Sequence, residues 1–316
     1  MAARHYVPQW VLRQFKLPHE QEPYELDIHT GRIDPRNLRR KAGAKQDFWP
    51  EGVERKIMTP HDTEACAISR QHIANRLRIQ IPADDKLALA TWLALFMART
   101  PTAYARTEAH VKELTSNPQI AVDILHHHRN RTLEIIRHRD PEIFNAAISE
   151  LGQTHGEEWL MALVEFNYRR GIIRPGVTAQ GVWESQLLTL EPEKFAPILC
   201  QYQWTWFYSR GGFVIGDNPL IRWSRCERKW DYGIKRAGIE ITFPISASLC
   251  LRIRPERENH RDRVLHAPKR LVWQYNRRQR CAAFSYVYSG ERKLLEPWRR
   301  QELTSEEAAR VNADAT

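Results

Sequence analysis

Three side chains that lie far apart in the sequence have the types needed to activate water beside a metal ion: His5, Glu64 and Asp217. Carboxylates are ligands that Mg²⁺ and Mn²⁺ prefer, and a metal-bound water can attack a phosphodiester. This set predicts catalytic roles for all three residues, with Glu64 and Asp217 as metal ligands. Each acid also has a structural interpretation: Glu64 as a surface or capping residue of a first helical turn, and Asp217, with Asn218, as the cap of a turn before Pro219.

The histidine lies at the start of "HYVPQWVLRQF", which predicts an extended arm followed by a short helix. Pro8 suits the first position of a helix, and Val11, Leu12 and Phe15 recur at helical spacing. We therefore expect the helix to be anchored in a core while the arm directs His5 towards a site.

The two acids and an arginine are expected at the ends of other elements. A helix that begins at Thr59 places Glu64 near its start. Asp217 follows the apolar run "FVI" in a Gly-Asp-Asn-Pro turn, which would present its carboxylate at a strand end, where sites often lie. Arg99, at the C-terminal end of the next helix, could hold a phosphate in a bidentate way or neutralise the helix end.

Several common catalytic motifs are missing from the sequence. It contains no G-x-G-x-x-G, no Walker-type glycine loop, no G-x-S-x-G and no H-E-x-x-H. Dinucleotide-binding enzymes, P-loop nucleotidases and classical serine hydrolases are therefore disfavoured.

The charge of the chain suggests a polyanionic partner. There are 48 Lys and Arg against 38 Asp and Glu, a formal net charge of +10. The stretch from Arg252 to Arg280 holds ten basic and three acidic residues, a net +7. Neutralised phosphates release counterions, so this stretch predicts nucleic-acid binding, with a solvated arginine-rich surface as the alternative. The run "QWTWFY" at Gln203–Tyr208 could stack on bases or pack in a core.

No segment has the length of a membrane span. The longest apolar run, Leu87–Ala98, is shorter than the ~20 residues that a bilayer requires, so it predicts a buried helix. The N-terminus lacks a signal-peptide pattern, and the five cysteines include no close pair. We expect a cytoplasmic protein with reduced thiols and no membrane partner.

The order of elements predicts an α+β fold, with a helical middle region, an antiparallel sheet built mainly from the C-terminal third, and an N-terminal hairpin at "YELDIHTGRID". The runs "IEITFPIS" and "SLCLRIRP" predict a strand pair, and the β-rich runs around Gly211 and Gly212 predict another hairpin. A basic helix from about Pro268 to Cys281 follows. A single domain is expected over 1–300, with an alternative division into 1–170 and 177–300, and a tail at 301–316.

Taken in order, "HYVPQWVLRQF", "DFWPEGVE", "RTP", "IGDNPLI", "FPISASLCL" and "YNRRQRCAAFSYVYS" resemble the bacterial family called domain of unknown function 4238. The resemblance spans roughly Arg4 to Ser289. The family's recurring polar positions fall on His5, Gln9, Glu64, Arg99, Asp217, Asn218 and Asn276. The resemblance therefore implies Gln9, Arg99, Asn218 and Asn276 as a substrate-binding set beside the three catalytic residues.

Two hypotheses follow for the function. The first is a metal-dependent enzyme that hydrolyses nucleic acid with Mg²⁺ or Mn²⁺, in bacterial defence or as a toxin. The second is a non-catalytic nucleic-acid-binding or regulatory module, in which the same polar residues form a structural hydrogen-bond network. Convergence of His5, Glu64 and Asp217 around an open cleft would favour the enzyme.

Overall fold

The computed structural model describes residues 4–5, 7–16, 22–35, 44–45, 58–73, 79, 81–98, 107–109, 111–113, 118–127, 129–170, 191–210, 212–224, 229–230, 234–235, 238–255 and 262–299. Its helices include α1 (Gln9–Leu12), α2 (Thr59–Ile68), α3 (Ala83–Ala98), α4 (Pro118–His127), α5 (Arg129–Arg139), α6 (Pro141–Leu151), α7 (Gln153–Arg169), α8 (Glu191–Gln201), α9 (Lys269–Ala282) and α10 (Arg292–Leu295). Its strands include β1 (Arg4–His5), β2 (Tyr24–Asp27), β3 (Ile33–Pro35), β4 (Ala44–Lys45), β5 (Gln203–Tyr208), β6 (Ile215–Gly216), β7 (Ile221–Ser224), β8 (Lys229–Trp230), β9 (Ile239–Ser246), β10 (Leu249–Arg254), β11 (Arg263–His266) and β12 (Tyr286–Ser289).

The chain divides into two compact units, Met1–Arg106 with Trp183–Thr316, and Thr107–Val182. The first unit contains the sheets, and the second contains α4 to α7. The single domain expected over 1–300 and its alternative division stay predictions. The tail at 301–316 lies outside the described residues.

The largest sheet has the strand order β11-β5-β10-β9-β7-β8. Neighbouring strands in this sheet are antiparallel, except that β11 runs parallel to β5. The strand pair expected from "IEITFPIS" and "SLCLRIRP" is confirmed as β9 and β10. With helices in the middle of the chain and the main sheet in its C-terminal third, the predicted α+β fold is confirmed.

A second sheet joins the two ends of the chain, in the order β3-β2-β12-β6. The N-terminal hairpin is confirmed as β2 and β3, and β12 supplies its C-terminal neighbour. Gly31 turns the hairpin with a φ of 70°. A Cβ at this position would lie 2.6 Å from the carbonyl oxygen of Arg299, so the close approach of the C-terminal segment also requires glycine.

The prediction of a hairpin around Gly211 and Gly212 is wrong, because β5 and β6 do not pair. Both edges of β5 are occupied, by β10 and β11, so the next run cannot pair with it. Gly212 has a φ of 118°, a conformation that glycine adopts readily, and the chain leaves the first sheet there. β6 then pairs with β12 in the second sheet.

The core of the first unit surrounds α3. The all-round apolar character of this helix is explained by burial: Trp92 is 1% exposed, and its ring lies 5.0 Å from Phe96 and 5.1 Å from Phe243 of the large sheet. Trp10 of α1 packs on Trp92 at 5.4 Å. The helix α1 is therefore anchored in the core, as predicted from its apolar face, and Phe15 just after it is fully buried.

The second unit is a set of helices with its own small core. Asp140 caps α6 by accepting a hydrogen bond from the backbone N–H of Ile143 at 3.3 Å. Leu133, Phe144, Ala147, Leu160 and Met161 form a cluster of buried apolar side chains in this unit. None of the helices described in either unit is long and apolar enough to cross a membrane.

Candidate functional site

Asp217 is buried at the point where β6 ends. Its side chain accepts three backbone hydrogen bonds: from the N–H of Phe284 to Oδ1 at 2.7 Å, and from the N–H groups of Ser285 and Tyr286 to Oδ2 at 2.8 and 3.1 Å. The residue is 1% exposed. Its carboxylate therefore joins the strand end to the turn that precedes β12.

Two opposing effects set the acidity of this carboxylate. Burial penalises the charged form and raises the pKa of Asp217 to about 6, while the hydrogen bonds from Phe284, Ser285 and Tyr286 oppose that rise. The group is still ionised in most molecules at neutral pH. In the ionised state the carboxylate is a buried negative charge, and the three N–H donors stabilise it in place of water.

Two side-chain amides of α9 bind the segment that carries Asp217. Asn276 accepts a hydrogen bond from the N–H of Val214 at 3.0 Å and donates to the carbonyl of Gly212. One turn later, Gln279 accepts from the N–H of Gly216 at 2.8 Å and donates to the carbonyl of Pro219 at 2.8 Å. Both amides are buried and both use donor and acceptor, which is how an irregular buried backbone is satisfied.

We call Asp217, Asn276 and Gln279 the polar network. Gly216 lies between its members, and a Cβ there would lie 3.0 Å from the carbonyl oxygen of Gln279 and 3.2 Å from the Cβ of Ala283. The helix and the segment are therefore in direct backbone contact. Gln279 was not predicted from the sequence, although its position three residues after Asn276 places both amides on one face of the helix.

Three other predicted site residues, Glu64, Gln9 and Asn218, do not form part of this network in the described part of the chain. Glu64 is exposed on α2, and its Oε2 lies 3.9 Å from Nδ1 of His61. Gln9 is half-buried on α1 and accepts a hydrogen bond from Arg13 at 3.4 Å. Asn218 is half-buried next to Asp217.

Two further predicted site residues, His5 and Arg99, lie partly or wholly outside the described residues. His5 lies on β1 with its backbone paired to Ala44, and its side chain is outside the description, as is the whole of Arg99. Within the described ranges, no group of three or more His, Cys, Asp or Glu side chains is placed to hold a metal ion. Catalysis by His5, Glu64 and Asp217 with Mg²⁺ or Mn²⁺ therefore stays a prediction.

The basic stretch from Arg252 to Arg280 divides between the surface and the interior. Its exposed members are Arg263, Lys269, Arg270 and Arg277; its buried or half-buried members are Arg252, Arg254, Arg278 and Arg280; Arg257 and Arg261 lie outside the described residues. Only part of the net +7 is therefore available to a partner in solution.

The aromatic run "QWTWFY" belongs to the core, as the second interpretation of this run expected. Trp204 is fully buried and Trp206 is 1% exposed on β5, so neither ring can stack on a base. An aromatic ring that is open to solvent lies instead on α9, where Trp273 is 53% exposed. The guanidinium of Arg277 lies 5.7 Å from this ring, and Trp298 packs beside it at 6.1 Å.

Removing the Asp217 carboxylate is expected to destabilise the fold. Asp217→Ala leaves three backbone donors without their acceptor and should lower the free energy of unfolding by at least about 3 kcal/mol. Glu64→Ala, at an exposed position, should change it by less than about 0.5 kcal/mol. Urea denaturation followed by circular dichroism measures both. Equal stability of the two variants would contradict the structural role of Asp217.

The carboxyl group of Asp217 is also expected to titrate above the ordinary pKa of an aspartate. Its folded pKa of about 6 exceeds the ordinary 3.8, so the folded protein keeps this proton where the unfolded chain has released it. The residue therefore favours folding most below about pH 4, and its contribution declines through pH 6 by up to roughly 3 kcal/mol. NMR of protein carrying ¹³Cγ-labelled aspartate measures the pKa directly.

Asp27 is the matched comparison for that titration. It also accepts backbone hydrogen bonds, from the N–H groups of His29 and Thr30 at 2.8 and 3.0 Å. Its slight burial raises the pKa less than these hydrogen bonds lower it, so the pKa of Asp27 is below the ordinary value. If Asp217 titrated below Asp27, the dominant effect of burial would be refuted.

Comparison with known proteins supports the family resemblance that the sequence motifs suggested. Residues 4–293 of the 316-residue chain match the family described as a protein of unknown function, DUF4238. No curated protein and no solved structure matches the chain. The match includes the hairpin, the polar network and the whole of α9. The chain therefore belongs to the DUF4238 family.

Proposed function

We propose that this chain is a non-catalytic module that binds single-stranded nucleic acid through the outer face of α9. The observation that carries the proposal is Trp273, a tryptophan 53% exposed on a helix whose neighbouring outward side chains are cationic. Lys269, Arg270 and Arg277 are all exposed on the same helix. Each lies three or four residues from Trp273, about one helical turn away, so the three cations share its face.

The ring of Trp273 has the surroundings expected of a stacking platform. Trp298 packs beside it at an interplanar angle of 32°, which holds the ring in place while more than half of the residue stays open to solvent. The Arg277 guanidinium adds a cation next to the ring. Stacking of an unpaired base on an aromatic side chain contributes about 1–3 kcal/mol, and it requires a base that is free of a duplex.

The cations supply the contacts to the phosphates. Lys269 and Arg270 begin α9, and Arg277 lies two turns further along. A row of positive charge beside a stacking ring is the arrangement that non-specific single-strand binders use.

The polar network favours binding over hydrolysis. Both oxygens of Asp217 already accept hydrogen bonds from backbone N–H groups, and Asn276 uses its oxygen and its nitrogen on the backbone of Gly212 and Val214. A metal ion bound to the carboxylate of Asp217 would compete with the three backbone N–H donors, whose positions are fixed by the fold. We therefore assign these residues to the scaffold that holds α9.

Fluorescence anisotropy with labelled single-stranded and double-stranded oligonucleotides tests the proposal. Trp273→Ala should weaken single-strand binding by roughly 5- to 100-fold without changing its salt dependence, since it removes stacking alone. Lys269→Gln should lower the slope of log K against log salt by about 0.7, the value for one phosphate contact. Binding that neither substitution alters would contradict the proposed surface.

Two controls keep the result specific. Lys194→Gln removes one exposed positive charge from α8 and should leave both the affinity and the salt slope unchanged. The same oligonucleotides are then incubated with Mg²⁺, Mn²⁺ or a chelator. Metal-dependent cleavage that disappears in Glu64→Gln but persists in Lys194→Gln would replace the binding proposal with hydrolysis.

A further inference from the structure

The outer face of α7 carries a stripe of apolar side chains. Trp159 is 46% exposed and Phe166 is 52% exposed, and the exposed Ala162 lies between them. Their spacing of three and four residues places all three on one face of the helix. Leu160 and Met161, which point to other sides of the helix, belong to the small core of this unit. The stripe therefore lies outside that core.

The second unit exposes much apolar surface for its size. A single exposed apolar side chain is normal, whereas a contiguous exposed patch is typical of an interaction site. Five of the nine large hydrophobic side chains that are exposed in the described part of the chain belong to this smaller unit, and only the two aromatic residues of the stripe share one helix face. The five are Ile135, Ile143, Leu151, Trp159 and Phe166.

Two opposite charges lie beside the stripe, one near each end. Glu158 is exposed, and it forms no hydrogen bond or ion pair within the described part of the chain. The side chain of Arg169 is 49% exposed and binds Glu165 and Gln119, which leaves several of its five N–H groups for another acceptor. Eleven residues separate Glu158 from Arg169, close to three whole turns, so both lie on the same side of the stripe.

This arrangement is complementary to itself when two copies of α7 lie antiparallel. A two-fold axis beside Ala162 places Trp159 opposite Phe166 of the second copy and Glu158 opposite Arg169 of the second copy, and each contact occurs twice. The small side chain of Ala162 lets the two helices approach closely at the axis. Parallel pairing would instead place Glu158 opposite the same residue, where like charges repel.

We propose that the outer face of α7 is the interface of a symmetric, antiparallel homodimer of this chain. A second copy is the occupant that fits, because one helix face carries both halves of each contact, the two aromatic rings and the two charges. An interface centred on one helix lies at the small end of specific interfaces, so the dimer should dissociate with a Kd on the order of 10–100 µM. This inference is independent of the surface on α9, which belongs to the first unit.

Sedimentation velocity of the full chain, from about 1 µM to about 1 mM, is the direct test of the dimer. The wild type should convert from monomer to dimer over this range, and Phe166→Gln should raise the Kd at least about tenfold because it removes an aromatic contact on both sides of the axis. The Tm of dilute protein should not change, since the residue is exposed. Ile135→Gln, at a residue 50% exposed on α5, is the matched control and should dimerise like the wild type.

Charge exchange tests the antiparallel register. Glu158→Lys alone places two cations together at each contact, and Arg169→Glu alone places two anions together, so each variant should dimerise at least about tenfold more weakly than the wild type. An equimolar mixture of the two variants should form a heterodimer about as tightly as the wild type forms its homodimer. Only the antiparallel pairing predicts this recovery, because it gives the mixed pair an opposite charge at both contacts.

Three results would overturn the proposal. The first is a wild type that stays monomeric up to about 1 mM, which would point to a different protein as the occupant of this face. The second is a Phe166→Gln variant that dimerises like the wild type, and the third is a mixture of charge variants that fails to recover the dimer. Binding of a short single strand to dilute protein should be the same for Phe166→Gln and the wild type, so this test and that of the α9 surface fail separately.

Discussion

The buried carboxylate of Asp217 is the interaction on which the rest of the fold depends. It binds the backbone of residues 284–286 and so joins β6 to β12. Because β12 also pairs with β2, this contact fixes the N-terminal hairpin to the C-terminal part of the chain. The amides of Asn276 and Gln279 hold the same segment against α9. One short, irregular piece of backbone thereby positions a sheet and a helix together.

The helix α9 has two faces with different electrostatic environments. Its outer face carries Lys269, Arg270 and Arg277 around an exposed tryptophan, where water screens the charges. Its inner face places Arg278, 6% exposed, against a buried glutamate. A buried charge costs several kcal/mol unless it is paired, so Glu240 and its two arginines form a unit whose members depend on one another. The polar network fixes how this helix lies on the sheet, and therefore both faces at once.

The sequence predicted the local features well, because they follow from short-range rules. The Thr30-Gly31 turn predicted the hairpin of β2 and β3, the run "IEITFPIS" predicted β9, and Pro268 predicted the start of α9. The features it did not predict depend on contacts between distant residues. The pairing of β6 with β12 joins positions some 70 residues apart, and no local pattern encodes it. Arginines that point inward and outward also look alike in sequence, which is why the net charge of the stretch overstated its exposed part.

The roles of the candidate site residues were also beyond prediction from local sequence, because they depend on contacts with distant residues. The motif residues Asp217 and Asn276 both bind backbone groups in the polar network, but a carboxylate that caps backbone amides and one that binds a metal have the same local sequence. Trp273 and Gln279 were overlooked because a helix position reveals its partner only when the neighbouring elements are known. The structure supplies those neighbours.

Hydrogen exchange of the backbone amides of Phe284 and Ser285, measured by NMR, tests the central role of Asp217 most directly. Both residues lie in a bend outside the strands, and the side chain of Phe284 is 48% exposed, so nothing in the regular secondary structure would protect their amides. The account predicts that both amides exchange as slowly as those in the middle of β9 and β10. Exchange at the rate of an exposed loop would contradict it.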